Sequence, residues 1–141
     1  SIYANIIKGS EVRYLCNCTQ QALAMSEAAI VTSGTATLET ALMGIPEIVL
    51  YHVPWIYEKL KPYFLRIPYI SLVNINLNRE AVAEIVRKKI DIEDVVARIA
   101  AILPGGAERE RMLKDFDTLK RMMGEEGASL RFAEDIVKSL Q

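Results

Sequence analysis

The chain has 141 residues, 51% of them hydrophobic and 25% charged, with a formal net charge of −1. That composition fits one globular domain able to bury a core. It gives no electrostatic case for nucleic acid, and no apolar run approaches the roughly 20 residues that span a bilayer. No signal peptide is visible. With Ser1 where an initiator methionine would stand and no opening strand, the chain reads as a piece of a longer protein.

In chain order, residues 1–9 read as the end of a helix, and Val12 to Cys16 alternates as a strand does. Cys16 and Cys18 form a C-x-C pair with no second pair, a poor spacing for zinc, so they read as free thiols in a reducing compartment. Thr19 to Glu27 suits a short helix with Leu23 and Ala24 inward, followed by a strand over Ala28 to Thr32.

The stretch from Ala29 to Tyr51 organises the rest. A short apolar run breaks at Ser33-Gly34, a helical segment with Leu38, Ala41 and Leu42 on one face closes at Gly44, and Glu47 to Tyr51 begins a second apolar run. These lengths predict a parallel βαβ unit. Ligands of such sheets sit outside the carboxyl ends of the strands, where Ser33 to Thr35 would lie. A helix starting there offers unpaired N–H groups and its positive dipole end to a phosphate. Gly34 lets a ligand approach the backbone, and Ser33 or Thr35 can cap the helix or reach a phosphate oxygen. Glu39, one position off the apolar face, could accept two hydroxyl protons from a ribose; equally, it could be an ordinary acid on a capped surface helix.

His52 to Tyr69 mixes Trp55, Tyr57, Tyr63, Phe64 and Tyr69 with Lys59, Lys61 and Arg66, and Ile56, Leu60 and Phe64 recur every four residues. Rings among bases suit a membrane interface or an acyl chain, and they also suit a helix packing its rings inward. His52, at a strand end, is left out of the catalytic set. Tyr69 to Leu72 reads as a further strand that brings Asn74 to the same edge as Ser33. Asn78 would then cap a helix to about Lys89 with Val82, Ile85 and Val86 inward. Arg79 falls in its first turn, where the dipole calls for an anionic partner such as Glu80, Glu84 or a phosphate. Asp91 caps a helix carrying Ile92, Val95, Val96, Ile99, Ile102 and Leu103, ended by Pro104-Gly105-Gly106. Glu108 to Met123 places Met112, Phe116, Leu119 and Met123 on one stripe with Asp115 among the solvated charges, and Ala128 to Leu140 reads as the last helix.

Two segments carry a resemblance. Ser33-Gly34-Thr35-Ala36-Thr37-Leu38-Glu39 resembles the SGTATLE segment of lipid-A-disaccharide synthases, and Ile67 to Asn74 followed by Arg79-Glu80 is similar to their PYISLPN…GRE. The likeness runs from about Val12 to the C-terminus. Val73 stands in place of the usual proline, and Asn76-Leu77-Asn78 in place of a glycine-containing link, which alters the local loop.

The resemblance implies an α/β fold: a Rossmann-like parallel sheet flanked by helices with a helical C-terminal part, the C-terminal half of a GT-B-type glycosyltransferase. Residues 1–141 would be its nucleotide-sugar lobe, without the first part of that domain and without the N-terminal domain. It further implies UDP-2,3-diacylglucosamine as donor, 2,3-diacylglucosamine 1-phosphate as acceptor, an inverting β-1,6 transfer releasing UDP, and no cofactor or metal. Ser33, Gly34, Thr35 and Ala36 would hold the diphosphate, Glu39 the ribose, and Asn74 and Arg79 the donor. The catalytic base and the family's PGSR arginine would lie outside this chain, leaving it inactive alone. The expected setting is the cytoplasmic surface of a Gram-negative inner membrane, touched through residues 52–69, with a homodimer admitted and no nucleic acid. Two alternatives stand: another UDP-sugar enzyme of this fold, such as an epimerase or muramyl-pathway transferase, or a non-catalytic α/β interaction module.

Overall fold

A computed structural model describes residues 5–32, 34–52, 69–87 and 90–124. The elements run α1 (Thr19–Ala24), β1 (Ala29–Val31), α2 (Gly34–Leu42), β2 (Glu47–His52), α3 (Leu72–Leu77), β3 (Ala83–Arg87), α4 (Ile92–Ile102) and α5 (Arg109–Met123). The strands form a parallel sheet in the order β1-β2-β3, with Val31 beside Val49 and Val49 beside Glu84. This is the expected α/β class, and the expected βαβ unit is β1-α2-β2.

Side chains alternate across β2 and so meet different helices. Tyr51 lies under the start of α2. Ile48 faces Ala101 and Ile102 of α4. Helix α2 packs on β1, β2, α3 and α5, while α4 packs on β2 and α5. Ile48, Val49, Val82, Ile85, Ile102, Met112, Phe116 and Leu119 form the buried core. Arg109 joins the lower end of the fold by donating to Glu27 O at 2.7 Å and Ile102 O at 2.9 Å.

Helix α2 ends at Gly44, whose φ of +77° is the left-handed conformation that favours glycine. The Gly44 N–H donates to Ala41 O at 2.9 Å, and the Ile45 N–H to Thr40 O at 3.1 Å. Its fully buried residues are Thr37, Thr40 and Ala41; of the expected face Leu38, Ala41 and Leu42, Leu38 packs partly buried on the core and Leu42 is 37% exposed. Small side chains let this helix approach its neighbours closely. The two threonine hydroxyls are satisfied within the helix, donating to Gly34 O at 2.5 Å and Ala36 O at 2.8 Å.

Several expectations are corrected. Val12 to Cys16 is exposed and carries no strand; Cys16 and Cys18 are free thiols. Tyr69 to Leu72 is not a strand: Ser71 caps α3, its hydroxyl accepting from the Asn74 N–H at 3.2 Å. Asn78 ends that helix instead of starting one, at a φ of 52° that asparagine tolerates better than most residues. The apolar residues after it form β3, as their β-branched content favours.

In the C-terminal part, Asp91 caps α4 as expected, its Oδ1 accepting from the Glu93 N–H at 3.0 Å. Ile92 and Val96, expected inward, are 68% and 60% exposed. Met112, Phe116 and Leu119 are buried as expected, but so is Asp115, and Met123 is 40% exposed. The ring-rich residues 53–68 and the expected helix over 128–140 lie outside the described residues.

Candidate functional site

Chain direction gives the sheet two unlike edges. At the carboxyl ends of the strands, β1 stops at Val31 and α2 begins at Gly34. Thr35 therefore sits inside the first turn, exposed, and is not the cap; Ser33 lies outside the described residues. Gly34 and Ala36 are half-buried beside it. One turn on, the half-buried Glu39 accepts at Oε1 from Gln20 Nε2 of α1 at 3.1 Å. Gln20, Thr35, Leu38, Glu39, Leu42 and Met43 line an open depression of about 500 Å³. The structure thus brings Gly34, Thr35, Ala36 and Glu39 together on one helix, with the Glu39 carboxylate oriented by a neutral amide.

It does not bring Asn74 and Arg79 there. Both belong to the segment that leads into β3 at the opposite edge of the sheet. Asn74 is fully buried, and its amide has all its bonding capacity used within the chain. Its Nδ2 donates to Val82 O and Glu84 Oε1, both at 2.8 Å, while its Oδ1 accepts from the Ala81 and Val82 N–H groups at 2.8 and 2.9 Å. Glu84 in turn clamps the start of α3, accepting from Ile70 N at 2.9 Å, Ser71 N at 2.9 Å and Ser71 Oγ at 2.8 Å. The anionic partner of Arg79 is Asp115, at 2.5 Å, not Glu80 or Glu84. Arg111 reaches the other Asp115 oxygen at 3.3 Å, so two arginines share one buried carboxylate.

Two groups pass unnoticed in the sequence. Glu47 opens β2 fully buried, and neither carboxylate oxygen has a partner among the described residues. Burial pushes its carboxyl up to about 9 from an ordinary 4.5, so it stays protonated at neutral pH. Tyr51, near the other end of β2, directs its hydroxyl at the start of α2: a Cβ placed on Gly34 would lie 3.8 Å from it. Burial chiefly, then the charges of Glu84 and Glu47, push this phenol up, which keeps its proton in place. Its signal in the sequence is positional, an inward tyrosine at the carboxyl end of a central strand.

Among the described residues no cluster of histidine, cysteine and acidic side chains could hold a metal ion, and no helix is long and apolar enough to cross a membrane.

Comparison with known proteins adds a lineage to this geometry. Residues 4–134 match the family model described as lipid-A-disaccharide synthetase. The chain is similar to proteins named lipid-A-disaccharide synthase from Anaeromyxobacter dehalogenans (33% identity, 90% of this chain and 33% of the relative), Myxococcus xanthus (34%, 82% and 30%) and Syntrophus aciditrophicus (35%, 86% and 32%). It spans about a third of the length of these curated relatives. No solved structure matches it.

Proposed function

The chain belongs to the lipid-A-disaccharide synthase family, and from that premise we propose that it is the UDP-binding lobe of a glycosyltransferase of lipid A synthesis. The observation that carries this reading is the family's small-residue turn standing where β1 hands over to α2, at the carboxyl edge of a parallel sheet. The diphosphate of the donor docks on the first turn of α2, at Ser33, Gly34, Thr35 and Ala36, where backbone N–H groups and the helix dipole favour negative charge. Glu39 accepts both ribose hydroxyls.

The donor is UDP-2,3-diacylglucosamine and the acceptor 2,3-diacylglucosamine 1-phosphate. The acceptor hydroxyl oxygen attacks the anomeric carbon from the face opposite the diphosphate. As that β-1,6 bond forms, the bond to the diphosphate breaks and its electron pair leaves with UDP. A base outside this chain takes the hydroxyl proton. Charge grows on the leaving oxygens, so fixed donors at the α2 start act most strongly in the transition state. Asn74 and Arg79 serve by shaping the segment into β3, because Val82, Glu84 and Asp115 hold their side chains. The whole enzyme works at the cytoplasmic face of a Gram-negative inner membrane.

A ribose cycle tests the reading. Glu39→Ala is expected to weaken UDP binding by about 1.5–3 kcal/mol, roughly ten- to a hundredfold. Glu39→Gln should lose less, and stability should hold. 2′-Deoxy-UDP should bind the wild type more weakly than UDP does, yet bind Glu39→Ala almost as well as UDP does. Equal losses for both proteins, measured by calorimetry, would remove Glu39 from the ribose.

A further inference from the structure

We propose that the Tyr51 hydroxyl is a further hydrogen-bond donor to the diphosphate of a nucleoside diphosphate bound at the start of α2, an inference that rests on the reading of that turn given above. Three observations converge on it. Tyr51 sits near the carboxyl end of the central strand, on the side that faces α2, and its oxygen lies against Gly34. Its ring packs on the core, so a phenylalanine would fill the same space. The hydroxyl, however, bonds to nothing among the described residues. Its oxygen is not closed off from solvent, so the donor is open to a ligand arriving from outside the chain.

Gly34 makes the approach possible. A Cβ there would lie in van der Waals contact with the Tyr51 oxygen, 3.8 Å away, and take up space beside the first turn of the helix. With hydrogen in its place, an anionic oxygen can meet the backbone N–H groups and the phenol together. Glu47 carries its proton at neutral pH, and the Glu84 carboxylate is covered by donors from Ile70, Ser71 and Asn74. The phenol remains a neutral donor across the physiological range, so it needs no desolvated cation beside the leaving group. Its bond strengthens as charge builds on the departing diphosphate.

Calorimetry on the full-length protein tests this with UDP and uridine as probes, comparing wild type with Tyr51→Phe. The expected result is UDP binding weakened about tenfold, uridine binding unchanged, and an unaltered thermal midpoint, because the hydroxyl holds nothing in the unliganded fold. Turnover with the acylated donor should fall through kcat at least as much as through KM. Equal UDP affinity in the two proteins would overturn the assignment of Tyr51 while leaving the UDP lobe standing. An equal loss with uridine would also overturn it, since the hydroxyl would then read the nucleoside. A wild type that binds no UDP would overturn both the lobe and Tyr51.

Discussion

The two edges of the sheet use similar residues to opposite ends. At the carboxyl edge, Thr35 is exposed, Tyr51 has a hydroxyl without a partner among the described residues, and Glu39 has one recorded bond, to Gln20. At the amino edge, Asn74 has no bonding capacity left, Glu84 accepts from three residues, and Asp115 is gripped by two arginines. An asparagine, an arginine and a glutamate look equally chemical in a sequence. What separates scaffold from site is whether the chain itself satisfies them. Glu47 is the exception that sharpens the contrast, an acid at the closed edge that nothing described satisfies.

The comparison can be broken most decisively at Asn74. Asn74→Ala would strand the buried Val82 N–H and the Val82 carbonyl and leave the Ala81 N–H only its bond to Arg79 O at 3.0 Å, and is expected to lower unfolding stability by about 4 kcal/mol. UDP affinity of the molecules that remain folded should be unchanged. Denaturant titration giving wild-type stability alongside lost UDP binding would put Asn74 at the site after all.

Glu47 comes next, with the opposite sign. In the folded chain its carboxyl holds a proton up to about pH 9, whereas the unfolded chain releases it near 4.5. Stability is therefore fullest below about pH 4.5, falls as pH rises, and levels off above about 9. Glu47→Met removes that slope and should be more stable than wild type by about 3 kcal/mol at pH 7, the two converging in acid. Parallel pH–stability curves would mean that the carboxyl is not buried unpaired.

Asp115→Ala leaves Arg79 and Arg111 without their shared anion. Because the arginine side chains are 53% and 50% exposed, solvent limits the expected loss to about 2 kcal/mol. UDP affinity should hold; a tenfold fall with intact stability would return Arg79 to the donor. The smallest effect belongs to Gln20→Ala. It removes one exposed bond to Glu39, expected to change stability by less than about 0.5 kcal/mol and UDP affinity by no more than a few-fold. A loss as large as that of Glu39→Ala would make Gln20 a ligand contact in its own right.

Legibility in the sequence followed how local each signal was. The turn at Ser33-Gly34, the close at Gly44 and the cap at Asp91 depend on neighbours within a few residues, so β1, α2, β2 and the start of α4 were readable. Val82, Ile85 and Val86 fit a helical stripe and a strand equally well over so short a run, and only pairing with β2 decides for β3. Asn78 suits either end of a helix. Glu84 looks like a surface charge until Ser71 and Asn74 arrive from the preceding segment, and Asp115 until Arg79 does. On α2 the apolar stripe placed Leu38 and Ala41 correctly against the core but not Leu42, and it missed Thr37 and Thr40, whose buried hydroxyls bond within the helix.

The Glu84 clamp has a consequence for how the chain acquires its shape. Helix α3 has six residues, too few to persist alone in water. The Ile70 and Ser71 N–H groups that lead into it, and its buried Asn74 amide, close onto a carboxylate that is fixed only once β3 has paired with β2. The helix is therefore conditional on the strand that follows it, and the two assemble and open as one cooperative unit. A nascent chain that has emerged only as far as Asn78 can pack α3 on α2 but lacks the carboxylate that closes its entry, so this part of the lobe waits for the ten or so residues that come after.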